Sequence, residues 1–546
     1  MSFQSVIRLL NHPTSSPASN FFMPVPSLFI HDRTLPSTTL SVVPSTIKKH
    51  FNVYRESNRL PPILRIYPDL LEYIFLLGTN FEFEDTIQLE RRQSAILSYS
   101  QTCHYWRIVA ISIKSLWAGL VDFEVNSEAW NKVLLRRSHP FPIVVGSTAY
   151  TLRHSRVIST ELLYLERIRS YHVGFDTSAW DILFERLQQP APSIEYLNIN
   201  HINYRATDSF ILPSNLFAGD APCLKRLDMT QCFVDFQAPV LRSLTTLSVE
   251  FLNVSSAPTP LEWLEHLSHL PSLTSLRLSN SMRSQGHSTS GRSKQVELSL
   301  LSTLNLDASL QDTHIFIDGL KFPVSCGLII NCYDCYPGPD LDIVLIAYLH
   351  RLNHAHHLRP ENCPFFINAR RSSLFLWNGS SGSDLEPTTL FLNLKFEFAT
   401  WESLLGPVLH VLGETFSNFT SLDLQLPATH PGLIPCLFRA TKLTRLNNVS
   451  AMMTKNLLSQ IQMIMQPSGR IPLPALHTIV FTDDESMWGA PYQSFVSFLT
   501  WRRIIGYPIM RVLFRQCHIL DDTAVELGLL GVQVDCNSEG SRWQRL

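Results

Sequence analysis

The residue types able to do chemistry gather in two places. Cys326, Cys332-Tyr-Asp-Cys335, His350, His354, His356, His357 and Cys363 form the cluster of metal-ligand side chains. The nearest approach to a hydrolase nucleophile turn is Gly286-His-Ser288-Thr-Ser290-Gly291. Structural zinc asks for two ligand pairs that close a tetrahedron, and a single Cys-x-x-Cys supplies one. The histidines fall on or just after an apolar, helix-like run, where satisfied or solvent-facing side chains are the better reading. In the second segment Ser290 stands where Gly-x-Ser-x-Gly requires glycine, and the surroundings are a polar loop. Gly-x-x-x-x-Gly-Lys-Ser/Thr, Gly-x-Gly-x-x-Gly after a strand, and His-Glu-x-x-His do not occur. The sequence thus argues against catalysis by this chain and implies neither cofactor nor metal. A metal-dependent hydrolase at the Cys/His cluster is the remaining enzymatic alternative.

The elements that must position any site are bounded by size and composition. At 546 residues the chain exceeds one ordinary core, so several domains or a long repeat array are expected. Hydrophobic residues make up 45% and charged residues 16%, enough apolar material to fold most of the chain. The 44 Lys+Arg and 46 Asp+Glu leave a net charge of −2, so no basic field draws the protein to nucleic acid. Lys48-Lys49-His50, Arg91-Arg92 and Arg370-Arg371 are short and separate, and make no basic stripe. The longest apolar runs, such as 341–349, fall well short of the roughly twenty residues a membrane helix needs. The N-terminal apolar stretch is too short for a secretory signal, and ten scattered cysteines suit free thiols in a reducing compartment. These features lead us to expect a cytoplasmic or nuclear protein without a membrane segment.

Four regions follow. Residues 1–58 are rich in Ser and Pro and read as an irregular arm. Residues 59–125 have helical periodicity. Pro68-Asp69-Leu70-Leu71-Glu72-Tyr73-Ile74-Phe75 opens with proline, carries acids in its first turn, sets Leu70, Leu71, Ile74 and Phe75 on one side and stops at Gly78. The stretch 80–90 reads as a loop. From Arg91 to Ile113, Ile96, Tyr99, Cys103, Trp106, Val109 and Ala110 recur at steps of three and four, predicting one or two further helices before Leu116-Trp117. Residues 126–189 read as a connecting region, and 190–546 as an array of repeats.

The helical region resembles the F-box. That family opens with Leu-Pro-x-Glu-Ile-Leu-x-x-Ile-Phe, which is matched from Pro68 to Phe75 with Asp69 in the acidic position. Its closing Cys-x-x-Trp-Arg-x-Ile-Ala and Leu-Trp look like Cys103-His-Tyr-Trp106-Arg-Ile-Val-Ala110 and Leu116-Trp117. The likeness covers roughly 60–123. Ile66-Tyr67 stand where Leu-Pro is usual, and Leu60-Pro61-Pro62 sits seven residues early. The resemblance implies that Pro68, Leu70, Leu71, Ile74, Phe75, Trp106, Leu116 and Trp117 bind a Skp-type adaptor, and through it a cullin–RING ligase.

From 190 onward the leucine-rich-repeat core, Leu-x-x-Leu-x-Leu, is approximated at Ile194, Leu224, Leu244, Leu273, Leu301, Phe419, Leu443, Leu476 and Ile509. Each Leu-x-Leu turns one side of a short strand inward, and 260–270, 456–465 and 492–505 fit helical returns over the same core. The stretch 311–400 breaks the register, with 373–377 and 389–398 reading as a strand pair. Segments 279–294 and 378–387 read as surface loops. The expected fold class is α+β: a short helical F-box-like module followed by an irregular leucine-rich-repeat solenoid. The function this implies is that of a non-catalytic substrate-recognition subunit of a Skp–cullin–F-box ubiquitin ligase, holding an unknown protein substrate on the repeats. The alternative is a repeat scaffold that binds proteins without ubiquitin transfer.

Overall fold

A computed structural model of the chain describes residues 66–79, 86–146, 152–202, 210–251, 257–284, 295–358, 365–370, 373–378, 390–395, 401–426, 430–447, 460–461, 471–482, 490–515 and 521–537. The arm 1–58 and most of the loops 279–294 and 378–387 lie outside these residues. So does all of the 456–465 return except 460–461. The described residues form a mixed α/β protein with fourteen α-helices and one long, mostly parallel sheet.

The described residues open with five helices: α1 (Pro68–Leu77), α2 (Thr86–Thr102), α3 (His104–Ser112), α4 (Lys114–Ala118) and α5 (Glu128–Ser138). Pro68 occupies the first turn of α1, where its missing N–H costs nothing. Cys103 separates α2 from α3 and caps the latter, its Sγ accepting from the Trp106 N–H at 3.4 Å. Helix α2 begins at Thr86, so residues 86–90, expected within a loop over 80–90, are helical, and 80–85 lie outside the described residues. Helix α5 is capped by Ser127, whose hydroxyl accepts from the Trp130 N–H, and carries Arg136 and Arg137 in its last turn, which complement the helix dipole.

The sheet has sixteen strands. Tyr171, Leu197, Leu227, Leu247, Leu276, Leu304 and Leu328 are register partners on seven successive parallel strands, and all are buried. One large apolar side chain per strand therefore stacks into a continuous ridge, compatible with a solenoid-like class in which each unit packs on its neighbours. The sheet begins earlier than 190: strands Ile143–Val145 and Ile168–Phe175 lie inside the stretch read as a connector. Ile168-x-x-Tyr171-x-Val173 has the repeat spacing, but tyrosine in the leucine place hides it. Over 311–400 the strand Gly327–Tyr333 continues the parallel stack. Leu390–Lys395 joins it, then Ser373–Asn378 runs antiparallel between Leu390–Lys395 and Phe365–Arg370. The expected strand pair is present, and this single reversed strand is what breaks the leucine register. The helix Pro260–Leu267 forms the first expected return, closed by a capping box between Thr259 and Glu262. Ala490–Ile504 forms the last.

A buried ion pair joins the helical module to the sheet. The Arg153 guanidinium bonds Glu161 through Nη1 and lies 3.6 Å from Glu124 through Nη2, while the Tyr171 hydroxyl donates to Glu161 Oε2 at 3.2 Å. Burial raises the Glu161 carboxyl to about 7 against the downward pull of Arg153. Between pH 4.5 and 7 the folded chain therefore holds a proton that the unfolded chain has released, so stability falls as pH rises through that window. Denaturant titrations across that range are expected to show this slope, and Glu161→Gln, which cannot ionise, is expected to flatten it. An unchanged slope in the variant would place the titrating group elsewhere.

Candidate functional site

Two surfaces can meet a partner. The first is on α1. Its ten residues are apolar nearly all round, so the helix has more apolar side chains than one buried stripe can absorb. Leu71 and Phe75 turn inward and are fully buried. Phe75 stacks on Tyr99 with ring centroids 4.4 Å apart and meets Trp106 edge-on at 5.2 Å. Gly78 ends the helix beside Tyr99, whose hydroxyl lies 2.1 Å from where a Cβ would stand, so no larger residue fits without moving that ring. Arg92 ties the end of α1 to the turn after α4, donating to the Thr79 and Gly119 carbonyls at 3.1 and 3.4 Å. The Tyr105 hydroxyl donates to the Ile66 carbonyl at 2.8 Å and fixes the start of the helix, and burial pushes that phenol upward. On the opposite side Leu70, Tyr73, Ile74 and Leu77 are 54%, 57%, 43% and 55% exposed. Ile108 and Ile111 of α3 are exposed as well.

The eight residues singled out from the sequence therefore divide. Leu70 and Ile74 lie on the outer side. Pro68, Leu71, Phe75, Leu116 and Trp117 are interior, and Trp106 is half-buried against the core. Trp117 donates its indole N–H to the Ala110 carbonyl at 2.8 Å, and Arg137 lies over its ring at 4.3 Å. These interior residues shape the module and could act on a partner only through it. Tyr73, Leu77, Ile108 and Ile111 were not singled out from the sequence. Periodicity marks positions on a helix, but in one that is apolar all round it cannot tell which side the other helices cover.

The second surface is the outward side of the sheet. At its N-terminal end the Tyr196 hydroxyl donates to Asp228 Oδ2 at 2.5 Å, Arg226 Nη2 donates to the same oxygen at 2.7 Å, and Arg226 lies 4.4 Å over the Tyr196 ring. His172 packs edge-on to Tyr196 at 4.6 Å, and burial depresses it to about 4 although Asp228 pulls the other way, so it is neutral near pH 7. Further along, burial raises the Asp307 carboxyl against Lys395 and Arg277. Phe366, Phe375 and Phe391 follow around the reversed strand, and Arg445, Arg511 and Arg515 lie on the last strands, with Arg511 paired to Asp535. The surface offers preset hydrogen bonds, ion pairs and rings, which suit a large polar partner.

The Cys/His cluster divides too. Cys326, Cys332 and Cys335 are buried in the core, and burial pushes the Cys326 thiol up to about 12. Among the described residues no three His, Cys, Asp or Glu side chains are placed to hold a metal ion. Cys363, the side chains of His354, His356 and His357, and the 286–291 segment lie outside the described residues. Among the described residues no helix is long and apolar enough to cross a membrane.

The fold and these surfaces define a class: a mixed α/β protein in which a short run of helices with an exposed apolar face is followed by a long, mostly parallel sheet. No protein-family profile matches the chain, and no curated protein matches it.

Proposed function

We propose that the chain is the substrate-recognition subunit of a Skp–cullin–F-box ubiquitin ligase, docking a Skp-type adaptor through α1 and a protein target through the outward face of the sheet. The observation that carries this reading is the outer side of α1, where four large apolar side chains of one short helix stay exposed. Exposed apolar groups in such density mark interaction surfaces, and they lie in the stretch that resembles the F-box. Catalysis would belong to the ligase's RING and conjugating-enzyme partners. This chain would supply proximity, raising the effective concentration of target lysines near activated ubiquitin. The full chain is expected to recover a Skp-type adaptor from cell lysate and to bind the purified adaptor directly. Absence of the adaptor in both assays would end this reading.

One observation favours a second reading. The Arg153, Glu161 and Glu124 cluster packs the helical module onto the first strands as a terminal cap would, so the module could serve a repeat scaffold that delivers nothing for ubiquitin transfer. The two separate on turnover. In a ligase, a partner bound through the sheet accumulates when the chain is removed from cells; in a scaffold its abundance is unchanged.

A further inference from the structure

Like charges converge on the outward face near the C-terminal end of the sheet. The strands Arg445–Asn447, Thr478–Thr482 and Arg511–Arg515 lie side by side, and Arg445, Thr478 and Arg511 are register partners. Neighbouring strands are about 4.8 Å apart, so Arg445 and Arg511 leave the backbone about 10 Å from each other. Between them stands Thr478, short and buried. Arg515 is four residues beyond Arg511 on one strand, and side chains alternate along a strand, so it joins them on the same face. Burial and the charges of Arg515 and Arg511 lower the Arg445 guanidinium, while Asp423 pulls the other way. Holding these cations together works against their mutual repulsion.

The guanidinium groups are oriented by the sheet but not used up by it. Arg445 donates through Nε to Asn447 Oδ1 at 2.6 Å, and Asn447 is held in turn, its Nδ2 donating to Ser421 Oγ at 3.0 Å. Arg511 meets Asp535 through Nε. Among the described residues the terminal nitrogens of Arg445 and Arg511 have no hydrogen-bond partner. Arg226, at the other end of the sheet, differs: its Nε and Nη2 both bond Asp228 and its plane covers Tyr196. Near Arg445 the carboxylates are Asp423, which is enclosed, and Asp535, which Arg511 engages. Three cations therefore face two carboxylates, and Arg511 and Arg515 are exposed.

We infer that this end of the sheet receives an acidic segment of the protein target, whose Asp or Glu carboxylates lie against Arg445, Arg511 and Arg515. The inference rests on the reading that the outward face holds the target. A guanidinium fork matches a carboxylate through its terminal nitrogens. Acids two or three residues apart on an extended segment are about 7 to 10 Å apart, the separation of Arg445 and Arg511 across the strands.

The test follows the anisotropy of fluorescein-labelled oligoglutamate on titration with the full chain, with oligoglutamine of the same length as the uncharged counterpart. Saturable binding of oligoglutamate alone, weakening as salt rises, is expected. Arg445→Gln and Arg515→Gln are each expected to weaken it about tenfold, the loss of one charge-assisted hydrogen bond, with an unchanged urea midpoint. Arg503→Gln, at an exposed position on the helix Ala490–Ile504, is expected to leave binding unchanged. Equal binding of both peptides, or an equal loss from all three substitutions, would overturn the inference. Tighter binding of a thymidylate oligonucleotide of the same length would also overturn it, in favour of a phosphate backbone. Titration with purified adaptor, run in parallel, keeps the two readings apart. Adaptor binding without oligoglutamate binding sinks the acidic segment alone, whereas loss of both removes the ligase reading as well.

Discussion

Lysine at both Leu70 and Ile74 is expected to abolish capture of a Skp-type adaptor while leaving the chain folded. Both side chains are well exposed on the outer side of α1 and lie four residues apart, so they present to one partner together. Surface substitutions of this kind change stability by about 0.5 kcal/mol or less. Loss of a central interface anchor costs at least about 2 kcal/mol. At about 1.4 kcal/mol per factor of ten, that is about thirtyfold per site and about a thousandfold for two independent sites. Calorimetric titration with purified adaptor, alongside circular dichroism and the urea midpoint, separates binding from folding. If the folded variant binds as tightly as the parent, α1 is not the docking helix. Tyr73 and Leu77 share the exposed side, and lysine at either is expected to weaken binding in the same direction.

Phe75→Ala is expected to act by the opposite route. The ring is fully buried between Tyr99 and Trp106 and touches no solvent, so its loss opens a cavity in the helical module at a cost of about 3–5 kcal/mol. Adaptor binding then fails because α1 loses its seat. The parallel sheet, held by contacts between neighbouring strands, is expected to keep its own cooperative transition. The variant should therefore lose adaptor binding and part of its helical signal while still capturing a target through the sheet. Full adaptor affinity in a folded Phe75→Ala chain would mean that the Phe75, Tyr99 and Trp106 cluster does not hold the docking face. Loss of the whole folded signal would show that the module and the sheet share one core, with the Arg153 and Glu161 pair as the path between them.

The contrast between these two substitutions shows how far the site was legible. Leu70, Leu71, Ile74 and Phe75 all stood out as apolar positions on a short helix bounded by Pro68 and Gly78, and the helix is present with those bounds. Whether each pointed to a partner or to the core could not be read, since that depends on where α2 and α3 lie against it. Cys103 illustrates the reverse: it was read as one of the helically spaced apolar positions and as part of a motif, and its local role is to cap α3, its Sγ accepting from the Trp106 N–H three residues on. On the sheet, every strand whose leucines kept the three-then-two spacing was legible. Ile168–Phe175 was hidden by Tyr171, and Gln533–Asn537 by the valine and cysteine in its leucine places.

What the sequence by itself determined is whatever is local in the chain: the bounds of α1, the break between α2 and α3, the inward leucines of the regular strands, and the capped return at Pro260–Leu267. Each follows from backbone preference, capping and the two periodicities of helix and strand, all acting over fewer than about ten residues. Only the tertiary structure decided which side of α1 stays bare, that Arg153 and Glu161 are buried together at the junction, and that Ser373–Asn378 runs against the rest of the sheet. These depend on which surfaces meet across long stretches of chain, and burial is a property of the pair that meets rather than of either segment alone.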